Sequence, residues 1–418
     1  MSRPKTAKSG KKGFSRSPIS IELSACLIVK NEEQRIPKCL DSLRSLADEI
    51  IVVDTGSSDR TISIAKKYQA RVFHFEWCDD FAQARNYAIA QAKGKWILVI
   101  DADEVLEQSA IAILQEVMQQ DDCLAVNLMR SEIGAKQAPY SLILRLFRNH
   151  PEITFTGIYH ESIDQSVASW QSKEPHWRIL NVEVPVLLHY GYMDSEIQLR
   201  DKYEFAQRLM HKHLEEFPED SYMLNKLGAL YINNPDSDRD FGISLLQKGL
   251  SLIDDTDQQN LTRCEIYYHL GLAYQQNEDW ELAKQAYNQV IELDVPNLVK
   301  LSAYVNLGNI YQELNQKEAI AYFEKVTQIA PNFAQGHFNY GIALKTSGRF
   351  IEAIAAYQKA ISLEPDYADA HQNLGVVLMK AGYFPEAIAS FTKAIKLHEQ
   401  QQNYETAAIL RSALQEFQ

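Results

Sequence analysis

Gly228, Gly271, Gly308, Gly341 and Gly375 recur through the second half of the chain at spacings of 43, 37, 33 and 34 residues, most of them in a Leu-Gly or Tyr-Gly pair. A period of that length marks stacked supersecondary units, because a unit so short cannot bury its apolar face except against the next one. After Gly341 come Ala353, Tyr357, Ala360 and Pro365, and after Gly375 come Ala387, Phe391 and Ala394. Small residues let two helices approach closely, and the aromatic fills the space between them. The first unit is looser, with Asn233, Asn234, Pro235, Asp236 and Ser237 between its helices. About five helical repeats are expected over residues 221–401, closed by a polar capping helix at 402–418.

The first half has a different period. Short β-rich runs at residues 24–29, 49–54, 71–75 and 96–101 alternate with helical patterns near 36–46, 61–68 and 81–92. Such alternation predicts a parallel, doubly wound sheet. Strand-like runs at 123–129, 141–148, 153–158 and 182–189 then predict a mixed-sheet extension, with room for a pocket. The expected fold class is therefore α/β plus all-α: a sheet domain over residues 21–192, a linking helix over 193–220, and an α-solenoid.

At 418 residues and 46% hydrophobic, the chain has ample material for two or three packed cores. It has no apolar run near the length of a membrane span and no continuous apolar leader. Its five cysteines, Cys26, Cys39, Cys78, Cys123 and Cys264, include no CxxC pair, which argues against a disulfide framework or a zinc site. A reducing cytoplasm is the expected compartment. Residues 1–20 hold six basic residues and no acid, leaving 36 basic against 55 acidic residues in the remainder. That tail reads either as a disordered, solvated leader or as a weak adhesive for an anionic membrane surface or nucleic acid. The acidic body argues against a nucleic-acid-binding protein.

Asp101-Ala102-Asp103, followed by Glu104, leaves the end of the apolar run Trp96 to Ile100. Carboxylates there would stand in the crevice where open α/β sheets bind ligands, and hard oxygen donors suit a divalent cation carrying a diphosphate. Alone, the triplet also reads as a solvated turn. Its context is ordered: a first strand running into Lys30-Asn31-Glu32-Glu33, a second ending in Asp54-Thr-Gly-Ser-Ser-Asp-Arg, and a helix opening with Asp80-Phe-Ala-Gln-Ala-Arg85-Asn86. In this order the segments resemble family 2 glycosyltransferases of the GT-A fold, in the branch that carries tetratricopeptide (TPR) repeats after the catalytic domain. The resemblance spans about residues 23–191 for the transferase and 221–399 for the repeats.

The resemblance implies a role for each matching residue. Asp54 would read the nucleotide base, usually the imide N–H of uracil; its plain alternative is a helix cap or Asx turn. Lys30, Asn31 and Glu32 would line base and ribose, or form an exposed charged turn. Arg85 and Asn86 would face the nucleotide, the guanidinium reaching phosphate or ribose oxygens. Asp103 would hold Mg²⁺ or Mn²⁺, with Asp101 on the ribose or a metal-bound water. The late His189 would be a further metal ligand, or a core histidine. Glu161 would be the acceptor's base, with Asp164 in reserve, although the familiar Glu-Asp pair is here His160-Glu161. A Glu161 merely held by Arg145 or Arg148 is the plain alternative.

Three functions fit this reading. The first is an inverting glycosyltransferase moving a hexose or N-acetylhexosamine from a nucleotide sugar, UDP-linked, to an acceptor, a protein or peptide held by the repeats. The second is a repeat scaffold with a degenerate catalytic domain, against which the retained acids argue. The third, a sugar nucleotidyltransferase, calls for a Gly-rich basic first loop that Lys30-Asn-Glu-Glu33 does not supply.

Overall fold

The computed structural model describes residues 21–135, 139–191, 196–254 and 259–415; the basic tail at 1–20 lies outside them. Four parallel strands come first: β1 Leu23–Val29, β2 Glu49–Asp54, β3 Arg71–His74 and β4 Trp96–Val99, separated by α1 Ile36–Leu43, α2 Thr61–Lys67 and α3 Phe81–Ile89. Both sheet faces are covered, as the unbroken apolar runs require. Leu23, Ala25 and Leu27 of β1 join the core under α1 and α2, while Cys26 of β1 and Ile97 and Val99 of β4 join the opposite core under α3.

Beyond β4 come β5 Glu104–Leu106, α4 Ile111–Met118, β6 Cys123–Glu132, β7 Tyr140–Arg148, α5 Asp164–Lys173 and β8 Arg178–His189. Among the described residues the sheet has eight strands in the order β3-β2-β1-β4-β7-β6-β8-β5. β4 and β5 adjoin in the chain but lie four positions apart in the sheet, joined only by residues 100–103. Five extended residue steps span at most about 16–18 Å, whereas four strand spacings of a flat sheet come to about 19 Å, so the sheet must curl to bring its last strand back to β4. Asp101 and Asp103 occupy this crossing.

The run at 153–158, expected as a strand, is instead a loop with one isolated bridge, Thr156 to Ser162. The Asn86 amide takes the place of a neighbouring strand, accepting from Phe155 N at 2.8 Å and donating to Phe155 O at 2.9 Å. The short β5 and the helices α4 and α5 lie outside the sequence pattern read above.

Then α6 Glu196–Glu216 leads into five helical pairs: α7 Ser221–Asn233 with α8 Arg239–Ser251, α9 Asn260–Gln276 with α10 Trp280–Glu292, and α11 Asn297–Glu313 with α12 Ala319–Ile329. α13 Ala334–Thr346 pairs with α14 Phe350–Leu363, α15 Ala368–Lys380 with α16 Phe384–Gln400, and α17 Tyr404–Gln415 closes the array. The periodic glycines have one structural reason. A Cβ on Gly271, Gly308, Gly341 or Gly375 would stand 2.6, 2.7, 2.7 or 2.9 Å from the ring of Tyr287, Phe323, Tyr357 or Phe391 on the paired helix. In the first, looser repeat Leu246 replaces the aromatic.

Each ring is thus the internal wedge of its repeat. Phe323→Ala is expected to lower stability by about 3–5 kcal/mol, whereas Phe384→Ala, at a 58% exposed position, should change it by less than about 0.5 kcal/mol. Urea unfolding of the two variants checks the contrast.

Candidate functional site

Three loops meet at the carboxyl ends of β1, β2 and β4, the usual binding crevice of an open parallel sheet. The first is tied to the second. Asn31, at φ 57°, donates from its backbone N to Ser57 Oγ at 3.0 Å and accepts from Ser58 N at 2.8 Å, while Glu32 N donates to Thr61 Oγ1 at 2.8 Å. Lys30 is exposed and Glu32 pairs with Arg35 at 3.5 Å. Asp54, only 2% exposed, accepts from Gly56 N and Ser57 N at 3.1 Å. It therefore shapes an Asx turn whose residues rim the crevice.

α3 begins at Asp80, whose carboxylate caps Gln83 N at 2.9 Å. Its buried face carries Arg85, 4% exposed, under the sheet crossing. The guanidinium donates from Nη2 to Asp101 Oδ1 and from Nε to Glu161 Oε1, both at 2.5 Å, and stands 5.9 Å over the Phe155 ring. Burial works against the charge on Arg85, but the two carboxylates more than offset it and keep it protonated. Burial likewise disfavours the Asp101 anion, yet Arg85 and then Arg145, 3.5 Å from Oδ2, hold its carboxyl well below the usual range. Arg85 Nη1 and Arg145 Nη1 are buried and have no hydrogen-bond partner among the described residues.

These contacts sort the expected residues. Both oxygens of Asp101 face arginines, so this carboxylate does not stand with Asp103 as a second ligand. The amide of Asn86 is committed to the backbone of Phe155, which makes it a brace for the 155–161 loop. Glu161 is held by Arg85; Arg148 instead donates to the carbonyls of Cys123 and Gln120. Asp164 opens α5, bonded to the Ser162 hydroxyl, and desolvation raises its carboxyl pKa. His160 and Asp164 keep open surface yet are ringed by protein, so their charged forms are poorly hydrated.

Asp103 meets His189 by strand register. β5 pairs Glu104 with His189, and β6 pairs Glu132 with the same His189, so three functional groups fall in one row across the curled sheet. His189 Nε2 lies 3.4 Å from Asp103 Oδ2, and Nδ1 lies 2.6 Å from Glu132 Oε2. Burial lowers the His189 pKa, but these two carboxylates raise it further, to about 9; Glu132 is pulled down to about 2 against its own burial by His189 and Arg130. Arg130 joins Glu132 at 2.7 Å to the fully buried Glu104 at 3.1 Å, and Glu104 accepts from Asp101 N at 2.9 Å. Gly191 closes over this pair: a Cβ there would fall 2.5 Å from His189 Nε2 and 3.4 Å from Asp103 Oδ2.

No group of three or more His, Cys, Asp or Glu among the described residues is arranged to hold a metal. Asp103 and His189 do converge, with Glu132 fixing the imidazole from behind as an outer carboxylate would. Two protein ligands suffice where the remaining positions of Mg²⁺ or Mn²⁺ go to diphosphate and water. The donor set fits such an ion. Arg130, Glu132 and Arg145, which hold the row together, carried no sequence motif; only pairing across strands identifies them.

A curled α/β crevice with an acidic crossing, followed by stacked helical pairs, defines a glycosyltransferase class of fold joined to a TPR array. The family described as glycosyl transferase family 2 matches residues 24–180, and TPR families match residues 262–332, 344–382 and 368–401. The chain belongs to the family 2 glycosyltransferases that carry C-terminal TPR repeats. It is 39% identical over 295 residues to a TPR repeat-containing protein of Synechococcus elongatus, covering 71% of this chain and 72% of that one. It is 28% identical over 286 residues to the SPbeta prophage-derived glycosyltransferase SunS of Bacillus subtilis, covering 66% of this chain and 64% of SunS. Among solved structures it resembles YrrB, described as a TPR protein with an unusual peptide-binding site, at 21% identity and a TM-score of 0.39 over 50% of this chain and all of that one.

Removing Arg85 would strand two carboxylates. Arg85→Met is expected to lower stability by about 3–5 kcal/mol, and Arg85→Lys to recover only part of it, because a single ammonium does not reproduce the two-armed fork. Equilibrium unfolding in urea measures both.

Proposed function

We propose that the protein is an inverting glycosyltransferase that moves a hexose or N-acetylhexosamine from a UDP-linked sugar to a protein or peptide acceptor. The observation that carries this reading is the Arg85 fork, which joins Asp101 at the donor crevice to Glu161 on the acceptor side. Asp54 and the loop at 30–33 would border the base and ribose. The uncommitted Nη1 of Arg85 offers a donor to a phosphate or ribose oxygen. Asp103 and His189 would hold Mg²⁺ or Mn²⁺, whose positive charge, when bound, stabilises the departing nucleoside diphosphate.

The acceptor oxygen or sulfur would attack the anomeric carbon as the bond to the diphosphate breaks, and its proton would pass to Glu161. Arg85 Nε holds the Glu161 carboxylate in place at 2.5 Å, which positions it to receive that proton. Asp164, at the start of α5 and raised by desolvation, is the second candidate. No helix among the described residues is long and apolar enough to cross a membrane. The free thiols suit the reducing cytoplasm we place it in.

Two measurements test the reading. With a panel of UDP-sugars and Mn²⁺, Asp103→Ala and His189→Ala should each lower donor turnover by about 10-fold to 100-fold and raise the metal concentration needed, as loss of a ligand or its support does. Equal turnover in EDTA would sink the metal site. Glu161→Gln should bind donor normally but lose about 10²–10⁴ in transfer rate, against a smaller loss for Asp164→Asn. The reverse order would move the base to Asp164.

A further inference from the structure

Arg145 on β7 is the least engaged of the arginines that hold this end of the sheet. Arg85 makes hydrogen bonds to Asp101 and Glu161, Arg130 to Glu104, Glu132 and Ser141, and Arg148 to the carbonyls of Cys123 and Gln120. Arg145 has one loose ion pair, 3.5 Å to Asp101 Oδ2, and among the described residues its guanidinium makes no hydrogen bond. A guanidinium carries five N–H donors. Its Nη1 is buried without a partner, while 13% of the side chain stays open to the crevice. Donors so enclosed are normally satisfied, so a nearly idle fork beside Asp101 marks where a ligand supplies acceptors.

The strand is built to present this residue. β6 pairs Val126 with Leu146 and then Asn127 with Leu144, so the register passes over Arg145, and the pairing of β7 with β4 stops at Leu146. Arg145 is therefore the extra residue of a β-bulge, a device that re-aims a side chain. Packing shows the same turn. In an unbroken strand residues two apart share a face, yet Leu146 lies in the core under α1 and α2 while Leu144 lies in the core under α3. The bulge releases Arg145 from both cores and leaves it at the crossing.

Its neighbours give its place along the site. The arginine that acts on His189, at the Asp103 end, is Arg130. Arg145 acts on Asp101 and on His160, the residue beside Glu161. It thus stands between the end proposed for the diphosphate and the loop proposed for the acceptor, where a sugar must lie if its anomeric carbon is to face both. Charge narrows the kind of sugar. Arg85 and Arg145 face Asp101 and Glu161, cation matched to anion, so no net charge remains to draw a uronate or other acidic group. What remains is a set of N–H donors without acceptors. We propose that Arg145 is a specificity-determining residue that reads the transferred sugar, donating to hydroxyl oxygens of a neutral hexose ring. This rests on the transferase reading above and names the part of the donor that the bulge inspects.

The test titrates the full chain, with Mn²⁺ present, by calorimetry against UDP, UDP-glucose, UDP-galactose, UDP-N-acetylglucosamine, UDP-glucuronate and the monodeoxy forms of the preferred UDP-hexose. Arg145→Met should weaken the preferred UDP-hexose about 10-fold to 100-fold, as loss of hydrogen bonds from a charged donor does, and leave the affinity for UDP unchanged. One deoxy analogue should bind the unaltered chain that much more weakly and should lose nothing further in Arg145→Met, because the contact is then already gone. A UDP affinity that falls in step with that of the UDP-hexose would overturn the assignment, placing Arg145 on the diphosphate or in the framework. So would a deoxy penalty that persists in the variant, no penalty for any missing hydroxyl in the unaltered chain, or a preference for UDP-glucuronate. An unaltered chain that binds neither UDP nor any of the UDP-sugars would instead remove the transferase reading, and this assignment with it.

Discussion

The chain passes from β4 to β5 in four residues, and the rest of the molecule is arranged around that crossing. Because β5 pairs with β8 at the far end of the sheet, the crossing forces β7, β6 and β8 to curl until His189, set beside Asp103 by register, lies near the end of β4. The same closure lines up Glu104, His189 and Glu132 in one row and turns the strand ends into a concave site. In a flat sheet β5 would stand four strand positions from β4, beyond the reach of the residues that join them.

Concentrating acids at one crossing creates an electrostatic problem that the arginines answer. Asp101, Glu104, Glu132 and Glu161 are all shielded from water to some degree, and each has a guanidinium from Arg85, Arg130 or Arg145. A buried pair of this kind contributes little net stability compared with apolar packing, and breaking it is expensive. Its value is positional: Arg85 ties α3, the β4 crossing and the 157–164 loop to fixed places, so that donor and acceptor sides keep one geometry. In the repeats the corresponding constraint is steric, glycine against aromatic ring. Both halves are therefore held by close contacts with little tolerance for substitution.

Much of this was legible in the sequence. The glycine period gave the repeats, and the residues at 233–237 between the first pair of helices gave their looser first member. Alternating apolar runs gave the four parallel strands, and motif order singled out Asp54, Arg85, Asp101 and Asp103, which the structure places at or beside the carboxyl ends of β2 and β4. The run at 153–158 misled because its apolar residues are buried by Asn86 and a loop, which patterning does not distinguish from a strand. Asn86 misled for the same reason: an amide reads alike whether it faces a ligand or braces a backbone. The resemblance put Asp101 on the ribose or a metal-bound water beside Asp103, whereas the crossing turns it toward Arg85 and Arg145.

The sequence by itself determined which residues have the chemistry, because periodicity and motif spacing are local properties of a chain: the repeats, the strand order along the first hundred residues, and the acids at the end of β4. Only the tertiary structure decided which of those groups meet. Arg130, Glu132 and His189 are brought to Asp103 by cross-strand register, and Tyr159 of the loop after β7 is brought against Met223 and Leu224 by the packing of the first repeat on the sheet domain. Such pairings depend on contacts between residues far apart in the chain, and a sheet that curls or a solenoid that turns fixes them through packing rather than through any pattern in the residues concerned.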